Sequence, residues 1–112
     1  MESILTSIKK LLGIMSDYTN FDDDIIIHIN TAFAMLNQLG VGPEGGFMIV
    51  DANSRWEDYT TKNNLNMVKT YIYLKVRLLF DPPTSTALIE SINRTLSEIE
   101  WRIFLEGDPK PV

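Results

Sequence analysis

The chain has 112 residues, 45% of them hydrophobic and 22% charged, with a net charge of −5 and no cysteine. That is the size and balance of one globular domain. The missing cysteines exclude disulfides, thiolate metal sites, iron–sulfur clusters and cysteine nucleophiles. The 10 basic residues are scattered, with Lys9-Lys10 the densest pairing. Clustered cations that would neutralise nucleic-acid phosphates are therefore lacking, which argues against direct DNA binding; an acidic wall past which DNA slides remains compatible. No apolar run approaches the ~20 residues of a membrane span. Met1-Glu2-Ser3, with Lys9-Lys10 set behind apolar residues, reverses the order of a secretory signal, so the expected site of action is cytoplasmic.

Ile4, Leu5, Ile8, Leu11, Leu12 and Met15 recur at the spacing of one helix face. With Ser3 as N-cap and Gly13 as stop, a first helix is predicted over 3–13. A second pattern, Ile25, Ile29, Ala32, Phe33, Leu36 and Leu39, opens at Asp22-Asp23-Asp24 and closes at Gly40, giving a helix over 23–39. Residues 40–61 are irregular, punctuated by Gly40, Gly42, Pro43, Gly45 and Gly46. Within them, Phe47-Met48-Ile49-Val50 is a short run of strand type. Ser54 and Glu57 have capping-box spacing, which predicts a helical turn over 55–59. A hairpin pairing 47–50 with 55–59 is the alternative.

The third long helix is predicted over 63–80. Leu65, Val68, Ile72, Val76 and Leu79 form one stripe, flanked by Met67, Tyr71, Leu74 and Leu78. A helix apolar on most of its surface is central, or has a second partner. It ends at Phe80, Asp81, Pro82 and Pro83, because neither proline can donate to a helix and Asp81 precedes one. Phe80 is expected to close the core between this helix and the next. The last helix runs from Thr84 or Ser85 to about Leu105, burying Leu88, Ile92, Leu96, Ile99 and Ile103. Its wet face alternates Glu90, Arg94, Glu98 and Arg102. The expected architecture is an all-α, four-helix domain over 1–105, with an irregular loop or short hairpin between the second and third helices and a flexible tail, 106–112.

No catalytic constellation emerges. His28 is the sole histidine and has no cysteine or second histidine to share a metal with. Asp22-Asp23-Asp24 lacks the alternation of a calcium loop and suits a helix N-terminus. The glycines of 40–46 lack the Gly-Lys-Ser/Thr of a phosphate loop. The expectation is thus a non-enzyme with no catalytic residue, cofactor or metal. The residues suited to partner contacts are Trp101 and Arg102 on the charged side of the last helix, and Phe47, Trp56 and Asp58 in the irregular segment. Each aromatic also has a core reading: Trp101 could lie under the 47–61 segment, Trp56 could anchor the loop, and Tyr18, Phe21 and Phe47 could be core or staple residues.

The run Val68-Lys69-Thr70-Tyr71-Ile72-Tyr73-Leu74-Lys75-Val76-Arg77-Leu78-Leu79-Phe80-Asp81-Pro82-Pro83 resembles a signature of the head–tail connectors of tailed DNA phages. The likeness continues through Ser85 to Glu98-Ile99-Glu100-Trp101-Arg102-Ile103. Upstream it includes Gly40-Val41-Gly42-Pro43, the segment from Phe47 to Asp51, and Arg55-Trp56-Glu57-Asp58. It spans about residues 20–105. The resemblance implies a structural virion protein of the neck, assembled in the host cytoplasm. It would form a homo-oligomeric ring, a dodecamer when docked, beneath the portal protein. The ring would extend the DNA channel, help retain packaged DNA without binding it specifically, and receive the next neck or tail component. The reading from another class is a cytoplasmic helical adaptor or regulatory module that binds one partner helix in a groove.

Overall fold

A computed structural model describes residues 2–59 and 65–107. Its elements are α1 (Ile4–Leu11), α2 (Asp22–Gln38), the single turn α3 (Trp56–Tyr59), α4 (Leu65–Phe80) and α5 (Thr86–Gly107). The all-α reading holds, with four long helices and one short turn. Among the described residues there is no strand pairing beyond one isolated antiparallel bridge, Ser3 with Arg55. The hairpin alternative is therefore displaced by the helical turn. The expected start of α4 at residues 63–64 and the tail after Gly107 lie outside the described residues. Helix α5 itself runs two residues past its expected end at Leu105.

The helix ends follow local chemistry. Ser3 Oγ accepts the Thr6 amide at 3.2 Å, capping α1. Both α1 and α2 close with the paired bonds of a Schellman turn. In α1 the Ile14 amide reaches Lys9 O at 2.8 Å and the Gly13 amide reaches Lys10 O at 3.1 Å. In α2 the Val41 and Gly40 amides reach Leu36 O and Asn37 O, each at 3.0 Å. That second turn needs a positive φ, which Gly40 supplies at +81°. At the start of α5, Ser85 Oγ accepts the Leu88 amide at 3.3 Å, so Ser85 rather than Thr84 is the cap. The turn at α3 is capped one residue later than its sequence suggests. Asp58, not Glu57, reaches back, its Oδ2 accepting the Arg55 amide at 2.8 Å.

Helix α4 is the centre of the domain, packed extensively on α2 and on α5 and touching α1 as well. This explains its nearly all-round apolar surface. Val68, Tyr71, Ile72 and Val76 are buried, as are Ile25, Ile29, Ala32, Phe33 and Leu36 of α2. Fully burying each such side chain contributes about 1.5–3 kcal/mol relative to exposure. Helix α5 has α4 as its extensive partner, so only one stripe is covered: Ile92, Leu96, Ile99 and Ile103. Leu88 and Leu79, both expected in buried stripes, stay exposed near the α4–α5 hinge, and Leu11 and Met15 stay exposed at the end of α1.

A buried cation shapes the α1–α2 connection. Lys9 is only 2% exposed. Its Nζ donates to Ser16 O at 3.1 Å and Tyr18 O at 2.7 Å, and lies 2.7 Å from Asp22 Oδ1. Three acceptors thus take up the ammonium, which is the condition for burying one. The three aspartates do occupy the first turn of α2, where the helix dipole favours them. None caps it through a side-chain bond: the N-cap position is Phe21, and Asp22 serves the ion pair instead.

Candidate interface surfaces

The segment between α2 and α3 is fixed by Asn30. Its Oδ1 accepts the Ile49 amide at 2.8 Å and its Nδ2 donates to Ile49 O at 2.9 Å. The side chain thereby satisfies both backbone groups of one residue, as a neighbouring strand would. Ile49 is buried beside it. In an extended backbone, alternate residues point to opposite sides. Phe47 and Ile49 therefore face inward, and Met48 and Val50 stand out, 70% and 78% exposed.

The inward aromatics form one cluster. Phe33 sits 5.1 Å from Phe47, 4.7 Å from Tyr59 and 6.4 Å from Trp56, centroid to centroid. Trp56 is fully buried, its Nε1 donating to Ser7 Oγ at 2.8 Å, with Lys69 Nζ 5.5 Å from its ring centre. The amide of Ile4 bonds Ser54 O at 2.9 Å, so α1 and the start of α3 are stitched together. The Tyr59 hydroxyl is buried and has no hydrogen-bond partner among the described residues, and burial pushes its pKa up to about 12. It abuts Gly42, whose φ is +97° and where a Cβ would lie 2.8 Å from the tyrosine hydroxyl. Only glycine meets both requirements there.

These positions correct the expected patch. Trp56 is a core residue and Phe47 a half-buried one, so neither presents its ring to a partner. Asp58 is exposed, but its carboxylate is held by the α3 turn. Met48 and Val50 take their place on the surface. The signal was the period-2 alternation within Phe47-Met48-Ile49-Val50, once that run is read as extended chain rather than as a buried strand.

Trp101 and Arg102 both lie on the surface of α5. Trp101 lies on the outward side of α5 and is 61% exposed; residues 47–59, the described part of the segment expected over it, do not cover it. Arg102 Nη2 pairs with Glu98 Oε1 at 2.8 Å, an exposed i,i+4 contact. Such a pair contributes only about 0.3–0.5 kcal/mol. On the inner side, the Tyr71 hydroxyl donates to Glu100 Oε2 at 2.7 Å and ties α4 to α5. Burial first, then this bond and the nearby carboxylate charge, push the Tyr71 pKa up.

Phe80 packs against the hydrophobic core at the α4–α5 junction. It is half-buried, and its aromatic partners are Phe21 at 5.3 Å and His28 at 6.4 Å, both on the α2 side. Asp81, Pro82 and Pro83 form the hinge; the Asp81 amide closes α4 on Arg77 O at 2.9 Å, and Pro83 is half-buried. His28 stands at the edge of this aromatic group. Among the described residues no three His, Cys, Asp or Glu side chains gather as metal ligands. No described helix is long and apolar enough to cross a membrane.

The family model for phage connector proteins matches residues 4–110. The chain belongs to that family. The match runs from α1 through α5, so it takes in the helix α1 that the recognisable motifs left out. Comparison with curated proteins and with solved structures finds no match. Connectors are structural rather than enzymatic, and membership places this one among the components of the virion neck that meet portal and tail proteins.

Proposed function

We propose that this connector forms a closed ring beneath the portal protein, extends the DNA channel and joins the capsid to the next neck or tail component. The observation that supports it most is the exposed Trp101, an aromatic next to Arg102 in sequence on a helix face left open among the described residues. Aromatic and arginine side chains are the usual anchors of protein interfaces. A cyclic ring repeats one heterologous contact, so each subunit must offer two different patches. The Trp101–Arg102 side of α5 is one. The other is the 40–59 loop, where Met48 and Val50 stand out on the Asn30 clamp and Asp58 lies close by in sequence. The acidic balance of the chain suits a channel wall that repels DNA phosphates and lets packaged DNA pass without specific binding.

The test is Trp101→Ala. Its thermal melting should match that of the parent chain, because the ring is mostly in solvent already. Co-sedimentation with portal-bearing capsids should fall. A steep loss of melting temperature would return Trp101 to the core; unchanged melting with unchanged attachment would remove it from the interface.

A further inference from the structure

A second exposed apolar surface lies elsewhere, where the start of α2 meets the end of α4. Tyr18 and Phe21 are 45% and 41% exposed, and their rings stand 5.6 Å apart. Phe21 in turn packs edge-on against Phe80 at 5.3 Å. The backbone that carries these rings is anchored by the buried Lys9, which bonds Tyr18 O and pairs with Asp22. An interior cation thus supports a surface of exposed aromatic rings.

Four aspartates flank that surface in sequence, with Lys10 near Ser16 the cation on the α1 side. Asp17 adjoins Tyr18, Asp23 and Asp24 follow Phe21, and Asp81 follows Phe80, all four exposed. The Phe21–Phe80 contact brings the two acidic segments together. Lys9 is already taken up by Asp22, and among the described residues these four aspartates form no ion pair. The nearest cation along α4, Arg77, is half-buried and directs Nη1 to the Tyr73 hydroxyl at 3.5 Å.

From this pairing of exposed rings with flanking aspartates, we infer that the Tyr18–Phe21–Phe80 end docks a basic, apolar-anchored segment of another protein. Aliphatic or aromatic anchors of that segment would cover the Tyr18 and Phe21 rings while its arginines or lysines meet Asp17, Asp23, Asp24 and Asp81. A second copy of this acidic chain is the poorer occupant, because copies meeting through this end would face carboxylate with carboxylate. The inference rests on the docking role proposed above only for the identity of the protein that carries the segment. The contact itself belongs to the monomer and needs no ring.

The test uses the full chain and a synthetic twelve-residue peptide alternating arginine with leucine, followed by amide chemical shifts at low salt. Shifts should concentrate at residues 17–24 and 80–81. Binding should weaken about tenfold in the Asp23→Asn/Asp24→Asn/Asp81→Asn variant, and by a similar factor in Phe21→Ser. It should weaken further as salt is raised. A glutamate–leucine peptide should not bind. Equal binding by the amide variant, or shifts centred on Trp101 or Met48, would overturn the proposal. Sedimentation equilibrium checks the other occupant: concentration-dependent dimers lost in Phe21→Ser would make this end a self-contact and overturn it too. Loss of peptide binding with capsid attachment intact, or the reverse in Trp101→Ala, separates this proposal from the ring.

Discussion

Replacing Asn30 by leucine should unfasten the loop that carries Met48 and Val50. The substitution keeps the side-chain size but removes both bonds to Ile49, at 2.8 and 2.9 Å. Each bond contributes about 0.5–1.5 kcal/mol net, and a buried group left unpaired costs about 1–3 kcal/mol. Asn30 is half-buried, so water reaches part of the site and the lower end applies. The expected loss is about 2–3 kcal/mol, or roughly 8–12 °C in melting temperature for a domain of this size. Urea unfolding measures the first quantity, and amide exchange at Ile49 reports whether the clamp itself has opened. Asn30→Asp is the control. It keeps the acceptor for the Ile49 amide but turns a carboxylate oxygen toward Ile49 O, and should cost about 1–2 kcal/mol. A loss below about 0.5 kcal/mol in Asn30→Leu, with Ile49 still protected from exchange, would refute the clamp.

Lys9→Met should destabilise by about 2–4 kcal/mol in urea unfolding, since it strands Ser16 O, Tyr18 O and the Asp22 carboxylate; Lys9→Met/Asp22→Asn should regain part of the loss. Phe80→Ala should cost about 1–3 kcal/mol, below the 3–5 of a fully buried ring, because its face toward Phe21 and His28 is only partly enclosed. For Tyr59 the folded-state pKa of about 12 stands above the ordinary 10.0, so the folded chain holds this proton more tightly than the unfolded one. Its contribution is complete below pH 10 and is lost as pH rises toward about 12, the direction Tyr71 adds to; denaturation followed across that range should show stability falling, and Tyr59→Phe should blunt the fall.

Helix positions were legible because caps and stops are local. Ser3, Gly13, Gly40, Ser85 and the Asp81-Pro82-Pro83 hinge each act within a few residues of themselves, and each acts as expected. Apolar periodicity likewise found the buried stripes of α2 and α4, and showed that α4 needed neighbours on more than one side. The features that escaped are contacts between residues far apart in the chain. Asn30 meets Ile49 across 19 positions, and nothing in the α2 pattern distinguishes it from an ordinary boundary asparagine. Lys9 looked like one of two surface lysines; its burial depends on where the chain returns at Ser16 and Tyr18. Trp56 could not be assigned to core or interface before Ser7 and Phe33 were known to surround it. Trp101 was legible as an outward residue from its place on the charged side of α5, one turn beyond Ser97.

The proposed ring is tested most directly by imaging. Portal-bearing capsids are mixed with the purified connector, washed, and examined by electron microscopy with symmetry averaging at the portal vertex. The account predicts a closed ring of added density at that vertex, coaxial with the DNA channel, and its loss or thinning with Trp101→Ala. Connector that stays in the supernatant, or that decorates the shell away from the portal, would contradict it.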